Sequence, residues 1–260
     1  MIQTFKSILY STKVWHASFK NRNELRHWKD RRKSIIKWYR GEEKYLFPFP
    51  NAQVKVSNFD EGTNALLTFI NVENNHASYL SDLLLRKDSF EGMKVADIGS
   101  GPFPTLLVFE NCERYCVDHL IEAYKAVGFP LAQFETEIEF LNAKSEAIPV
   151  ADGFFDAVIS RNALDHVDDF TKTAQEIRRV LKPEGVLHIL VNYHKPTATE
   201  PHILNDRTIE RCFGALGVRK LSEVEGAWGF NGGRTLLWSN APETMLRDYC
   251  GVPASCALDH

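Results

Sequence analysis

Asp97, Gly99 and Gly101 stand close together, and a second acid, Asp118, follows 21 residues after the first. Glycines at such spacing let backbone approach a ligand closely. An acid about 20 residues further on, at the end of a second strand, is where a ribose diol is held. A third glycine is missing, because position 104 is Pro104. The G-x-G-x-x-G dinucleotide pattern is therefore incomplete, which disfavours a bound pyrophosphate. Two glycines between two acids suit an adenosine cofactor with an amino-acid tail. Downstream, His166 and His194 are the candidate bases, with His194 preferred and Tyr193 beside it as an orienting group. His194, Glu200 and His202 could also be metal ligands. Their spacing is not tight, so no metal is expected.

The elements that must position these residues read as alternating strands and helices. Residues 93–98 form a short apolar strand that enters the turn Gly99-Ser100-Gly101. Pro102 is expected near the first turn of a helix over 105–111, which would aim a positive dipole end at the ligand. A second strand ends at Asp118, a helix runs to Val127, and Gly128 and Pro130 stop it. Strands are expected over 137–142, 155–160 and 186–192, with a helix between the last two that begins after Asp168-Asp169. Ser145 and Glu146 follow the third strand, and Arg161 and Asn162 close the fourth. Both pairs would border the ligand, since open α/β sheets bind outside the carboxyl ends of strands. A helix over 206–216, strands over 218–225 and 234–239 and a connecting hairpin complete the sheet. Upstream, a helix over 60–85 carries His76 and Tyr79, read as half-buried core rather than as a cofactor edge.

The block Val95-Ala96-Asp97-Ile98-Gly99-Ser100-Gly101-Pro102 resembles motif I of the class I S-adenosylmethionine-dependent methyltransferases. Asp118 with His119 resembles their ribose-binding acid. The blocks at 144–158, 161–167 and 176–187 follow in family order and spacing. The resemblance runs from about Met93 to Val191. It implies a Rossmann-like, seven-stranded, mostly parallel sheet with the last strand antiparallel and helices on both faces. It implies S-adenosylmethionine held by Asp97, Gly99, Ser100, Gly101, Asp118, His119, Ser145, Glu146, Arg161 and Asn162. The family often has an acid where Lys144 stands, so Ser145 is the expected adenine contact. A histidine at the place of His166 is common in the family without being catalytic.

Composition bounds the rest. The chain has 260 residues and 44% hydrophobic content, enough for one large α/β domain with extensions. The expected division is a helical cap over 1–58, the catalytic domain over 59–240 and a loose tail over 241–260. No run approaches the ~18 apolar residues of a membrane span, and the first residues lack a signal-peptide core. Cys112, Cys116, Cys212, Cys250 and Cys256 are scattered and odd in number, which suggests a reducing, cytoplasmic setting.

The net charge of −3 hides an asymmetry, because residues 1–50 hold 12 basic and 4 acidic residues and the remainder 19 and 30. In the first helix, clearest over 21–41, Trp28, Ile35, Trp38 and Tyr39 recur near helical spacing among Lys29, Arg31, Arg32, Lys33 and Lys37. Packing on the domain with solvated cations is preferred to a lid or recognition helix. No RNA-binding module is visible, so nucleic acid is not the expected partner.

The cap and the polar 193–202 loop favour an O or N atom of a small metabolite as methyl acceptor, in a monomer or homodimer. The alternatives are a silent cofactor-fold scaffold, an RNA or protein methyltransferase, and a NAD-dependent oxidoreductase.

Overall fold

The computed structural model describes residues 2–43, 59–75, 77–197, 199–225 and 233–247. The expected extended stretch over 45–58, His76, most of the 226–233 hairpin and residues 248–260 lie outside the described residues. Six α-helices and seven strands follow in chain order: α1 (Ile2–Tyr39), α2 (Glu61–Asn75), α3 (Ala77–Asp82), β1 (Lys94–Ile98), β2 (Glu113–Val117), α4 (Ile121–Ala126), β3 (Glu139–Leu141), β4 (Phe155–Arg161), α5 (Phe170–Val180), β5 (Leu181–Tyr193), α6 (Asp206–Phe213), β6 (Arg219–Glu225) and β7 (Arg234–Ser239).

The strands form one sheet in the order β3-β2-β1-β4-β5-β7-β6. β1 pairs in parallel with β2 and β4, as β4 does with β5. β7 runs antiparallel between β5 and β6, as expected for the family. Strand order reverses between β1 and β4, so the crevice for a ligand opens where their carboxyl ends diverge.

The period-2 pattern of the strands sorts their side chains into two layers. Leu187, Ile189, Val191 and Tyr193 of β5 pack with Ile177, Val180, Ile209 and Phe213 of α5 and α6. Val186 and Leu190 face the other layer with Val95, Ala157, Leu83 and Phe109. The helices start where their caps allow. The Asp169 side chain accepts from the Lys172 N–H of α5, and Asn205 accepts from the Thr208 N–H of α6.

Three expectations are corrected. The segment after the glycine turn is a single 3-10 turn, Thr105–Val108, and not an α-helix. Pro102 and Pro104 bracket Phe103, remove two N–H donors and push Phe103 away from helical geometry. The dipole expected from a helix over 105–111 is therefore lost. The helix expected over 60–85 ends at Asp82, before Leu84 at φ +54°, and His76 between α2 and α3 lies outside the described residues. Residues 241–247, expected as loose tail, are docked instead. Ala241, Met245 and Leu246 are buried, and Leu246 forms a bridge with Leu85. Arg86 donates to the Leu246 and Thr244 carbonyls at 2.8 Å, and Ser89 to the Met245 carbonyl at 2.7 Å.

Candidate active site

Strand β1 delivers Asp97, 3% exposed, to the floor of the crevice. The next turn is held by Gly99 N–H, which donates to the Val117 carbonyl at 2.8 Å. Gly99 and Gly101 both have positive φ, +76° and +62°, a region L side chains avoid. Gly101 N–H donates to Asp118 Oδ2 at 3.0 Å, and Leu120 N–H to Asp118 Oδ1 at 2.8 Å. The acid after β2 is thus fixed directly against the glycine turn. His119, the next residue, bonds through Nε2 to Asn21 Oδ1 of α1 at 3.0 Å. The structure therefore brings Asp97, Gly99, Ser100, Gly101, Asp118 and His119 to one place.

Burial pushes the Asp97 carboxyl up to about 7 and raises that of Asp118. Thr105 Oγ1 donates to Asp97 Oδ2 at 3.3 Å. No lysine or arginine ion pair with either acid is seen among the described residues, and the His119 ring, 3.7 Å from Asp118, is held below the ordinary histidine range by burial. Two buried acids beside a bare backbone turn suit a ligand that brings donors and positive charge. S-adenosylmethionine, with its ribose diol, ammonium and sulfonium, meets that requirement.

The other expected contacts are placed separately. Glu146 Oε1 accepts from the Asp168 and Asp169 N–H groups at 2.8 and 2.9 Å, so it fixes the entry to α5. Ser145 Oγ lies 3.3 Å from Thr173 Oγ1. Lys144, where the family often has an acid, bonds Asp168 at 2.6 Å. Arg161 bonds Asp82 at 2.7 Å and lies over the Tyr79 ring. Tyr79 is core, as the sequence suggests, but fully rather than half buried. Asn162 has φ +53°, and its side chain accepts from Asn192 Nδ2.

Beyond the ends of β4 and β5 lies a second polar group of residues. His194 Nε2 is 3.0 Å from Asp165 Oδ2, and His194 Nδ1 is 2.7 Å from the Lys195 carbonyl. His166 Nε2 is 3.5 Å from Glu200 Oε1. Asp165 and Glu200 are buried. A carbonyl only accepts, so Nδ1 of His194 carries hydrogen. Nε2 then faces a carboxylate, which favours a proton there too. Burial opposes that proton, but the Lys195 carbonyl and the Asp165 and Glu200 carboxylates outweigh it and raise His194 above the ordinary histidine range.

Ligand atoms of Asp165, His194 and Glu200 lie within 4.8 Å of one another, so this set could also hold a cation. Of the three ligands considered in the sequence, His202 is elsewhere, with Nε2 at 2.8 Å from the Val167 carbonyl. Tyr193 is separated from His194 by strand alternation. Its ring is buried in the α6 layer with Leu204 and Trp238, and burial raises its hydroxyl.

The sequence places Asp165 with Arg161, Asn162 and His166 on the wall opposite the glycine turn, but it misses the contact with His194 and the α1 residues. Asp165 and His194 follow paired strands, and that pairing is the signal that could have joined them.

Residues 96–189 match the family described as a methyltransferase domain. Residues 96–189 thus belong to the methyltransferase-domain family, in agreement with the class I S-adenosylmethionine-dependent resemblance. An uncharacterized methyltransferase of Bacillus subtilis is 31% identical over 108 residues, 40% of this chain and 42% of that protein. A ubiquinone/menaquinone biosynthesis C-methyltransferase of Hahella chejuensis is 42% identical over 60 residues, 23% of this chain and 24% of its own length. The solved structure of a SAM-dependent methyltransferase from Aquifex aeolicus aligns with a TM-score of 0.45 at 21% identity, over 62% of this chain and 87% of that one. The matches to both curated relatives span less than half of those proteins. Among the described residues, no helix is long and apolar enough to cross a membrane.

Proposed function

We propose that this methyltransferase moves a methyl group from S-adenosylmethionine to an O or N atom of a small-molecule metabolite. The observation that carries the reading is the pairing of two sites at the sheet's carboxyl edge. One is the Asp97–Asp118 cradle and the other the Asp165–His194–Glu200 group. When bound, the cofactor supplies an electrophilic methyl on a sulfonium that is already a good leaving group. Asp118 binds the ribose, Ser145 and Glu146 border the adenine, and the Gly99–Gly101 turn admits the amino-acid tail. Holding acceptor and methyl in line supplies much of the rate.

An O–H or N–H acceptor must also lose a proton. His194 is the group that takes it: Nδ1 stays on the Lys195 carbonyl, and Nε2, once the ring is neutral, leaves Asp165 to accept the proton, with His166 at the edge of the same cluster and Tyr193 bracing the strand behind. Because His194 is raised, it is free to accept only above the ordinary histidine range. Turnover should therefore climb with pH past that range. Replacing Glu200 by glutamine removes a charge that raises His194 and should move this rise to lower pH.

The His194→Ala variant should slow turnover by about 10²–10⁴-fold with S-adenosylhomocysteine affinity unchanged by calorimetry. Full activity in that variant would remove His194 as the base. The general test is methyl transfer from radiolabelled cofactor to a panel of hydroxyl and amine metabolites. Label appearing only on carbon, or only on RNA or protein, would overturn the reading.

A further inference from the structure

The buried stripe of α1 changes character along its length. Toward the C-terminal end it is apolar: Trp28, Ile35, Ile36, Trp38 and Tyr39 pack against α2 and α4. One turn and more before Trp28, the same stripe presents Lys20, Asn21 and Glu24. Lys20 is only 9% exposed and Glu24 is half-buried. Polar groups inside a packed helix face cost stability unless something meets them. Lys20 is met by Asp168 at 2.6 Å and by the His166 carbonyl. Asn21 is met by His119.

Glu24 lies between two anchors. Asn21 binds the ring that follows Asp118. On the other side, the Trp28 indole covers Gly101 so closely that a Cβ there would meet it at 3.3 Å. Asp118 is bonded to Gly101, so it sits between the same two anchor points. From Asn21 to Trp28 is about 10 Å of helix, and Glu24 is near its middle. The groups around it are the acids Asp118 and Asp168, the Lys20 ammonium and the Tyr124 hydroxyl. Lys20 is already committed to Asp168. Burial first, and the Asp118 charge second, push Glu24 up to about 7. Two buried acids near one another repel, and a ligand that brings paired donors would relieve that repulsion.

We propose that Glu24 is a second acid of the cofactor site, placed over Asp118 by the docking of α1 on the glycine turn, where it accepts a hydrogen bond from the ribose diol. This rests on the cofactor assignment above and adds that the site is incomplete without α1. A vicinal diol donates two hydrogens, and two carboxylates on opposite sides accept them.

The test is calorimetry on the full chain with two ligands, S-adenosylhomocysteine and its analogue lacking both ribose hydroxyls, against wild type, Glu24→Gln and Glu24→Ala. Charged hydrogen bonds of this kind carry about tenfold or more in affinity. Both variants should lose about that factor for S-adenosylhomocysteine and lose nothing further for the dideoxy analogue. Equal losses for both ligands would assign Glu24 to packing of α1 and overturn the proposal, as would unchanged affinity for both. Glu24→Gln keeps the side-chain shape and decides the matter if the alanine variant fails to fold. Wild type that binds neither ligand would overturn the cofactor assignment itself, a different result from wild type that binds and variants that bind equally.

Discussion

Asp97→Asn is expected to melt higher than wild type above pH 7 and to bind no cofactor. The Asp97 carboxyl is 3% exposed, and burial is the largest cause of its rise from 3.8 to about 7, with Thr105 and Arg161 opposing and Asp118 adding to it. Its folded value lies above its unfolded one, so folding favours the protonated form. The associated stability is complete below about pH 4 and is lost as pH rises through about 7. At pH 8 the cofactor-free protein buries a charge without an ion pair. A shift of one unit is worth about 1.4 kcal/mol, so the strain reaches at most about 4 kcal/mol. Asparagine does not titrate and escapes it. On the proposed cofactor assignment, the wild-type protein retains the strain because the charge would hold the cofactor. Thermal melts at pH 5 and pH 8, with and without S-adenosylhomocysteine, check both halves. A variant that melts lower at pH 8, or that is still stabilised by the ligand, would contradict this account of Asp97.

Gly99→Ala should destabilise the protein by about 2–6 kcal/mol, through two separable causes. The first is backbone strain, since φ at Gly99 is +76°, worth about 1–3 kcal/mol for a residue with a Cβ. The second is collision. An added Cβ would lie 2.2 Å from the Ala163 Cβ, on the segment that leaves β4. Relieving such overpacking costs about 1–3 kcal/mol. The double variant Gly99→Ala with Ala163→Gly removes the collision and leaves the strain, so it should recover part of the loss. Urea unfolding of the three variants measures each share. Equal stability of the single and double variants would show that the turn does not pack on Ala163.

Much of this was legible in the sequence, for reasons that differ by residue. Asp97, Gly99, Gly101 and Asp118 lie within one strand–turn–strand unit, so short-range spacing carries their geometry. The strands from β1 to β7 declare themselves by apolar runs between turn residues. The turn after Gly101 was misread because proline at the first helical position is favourable, whereas a second proline at Pro104 stops the helix before it starts. The Asp165–His194 contact joins residues 29 apart in the chain, and only the pairing of β4 with β5 brings them together. Glu24 is further still from Asp118. Its helix was read as basic and amphipathic, with solvated cations, and Lys33 and Lys37 are indeed exposed and paired with Asp30 and Glu43. The acid on the opposite face, one turn before Trp28, was the informative residue.

Calorimetric titration of the full chain with S-adenosylmethionine, repeated on Asp118→Ala and with NAD as the control ligand, tests the central claim most directly. The account predicts one-to-one binding of S-adenosylmethionine to wild type, its loss in a folded Asp118→Ala variant, and no heat with NAD. Equal affinity in wild type and variant, or binding of NAD in place of S-adenosylmethionine, would contradict it.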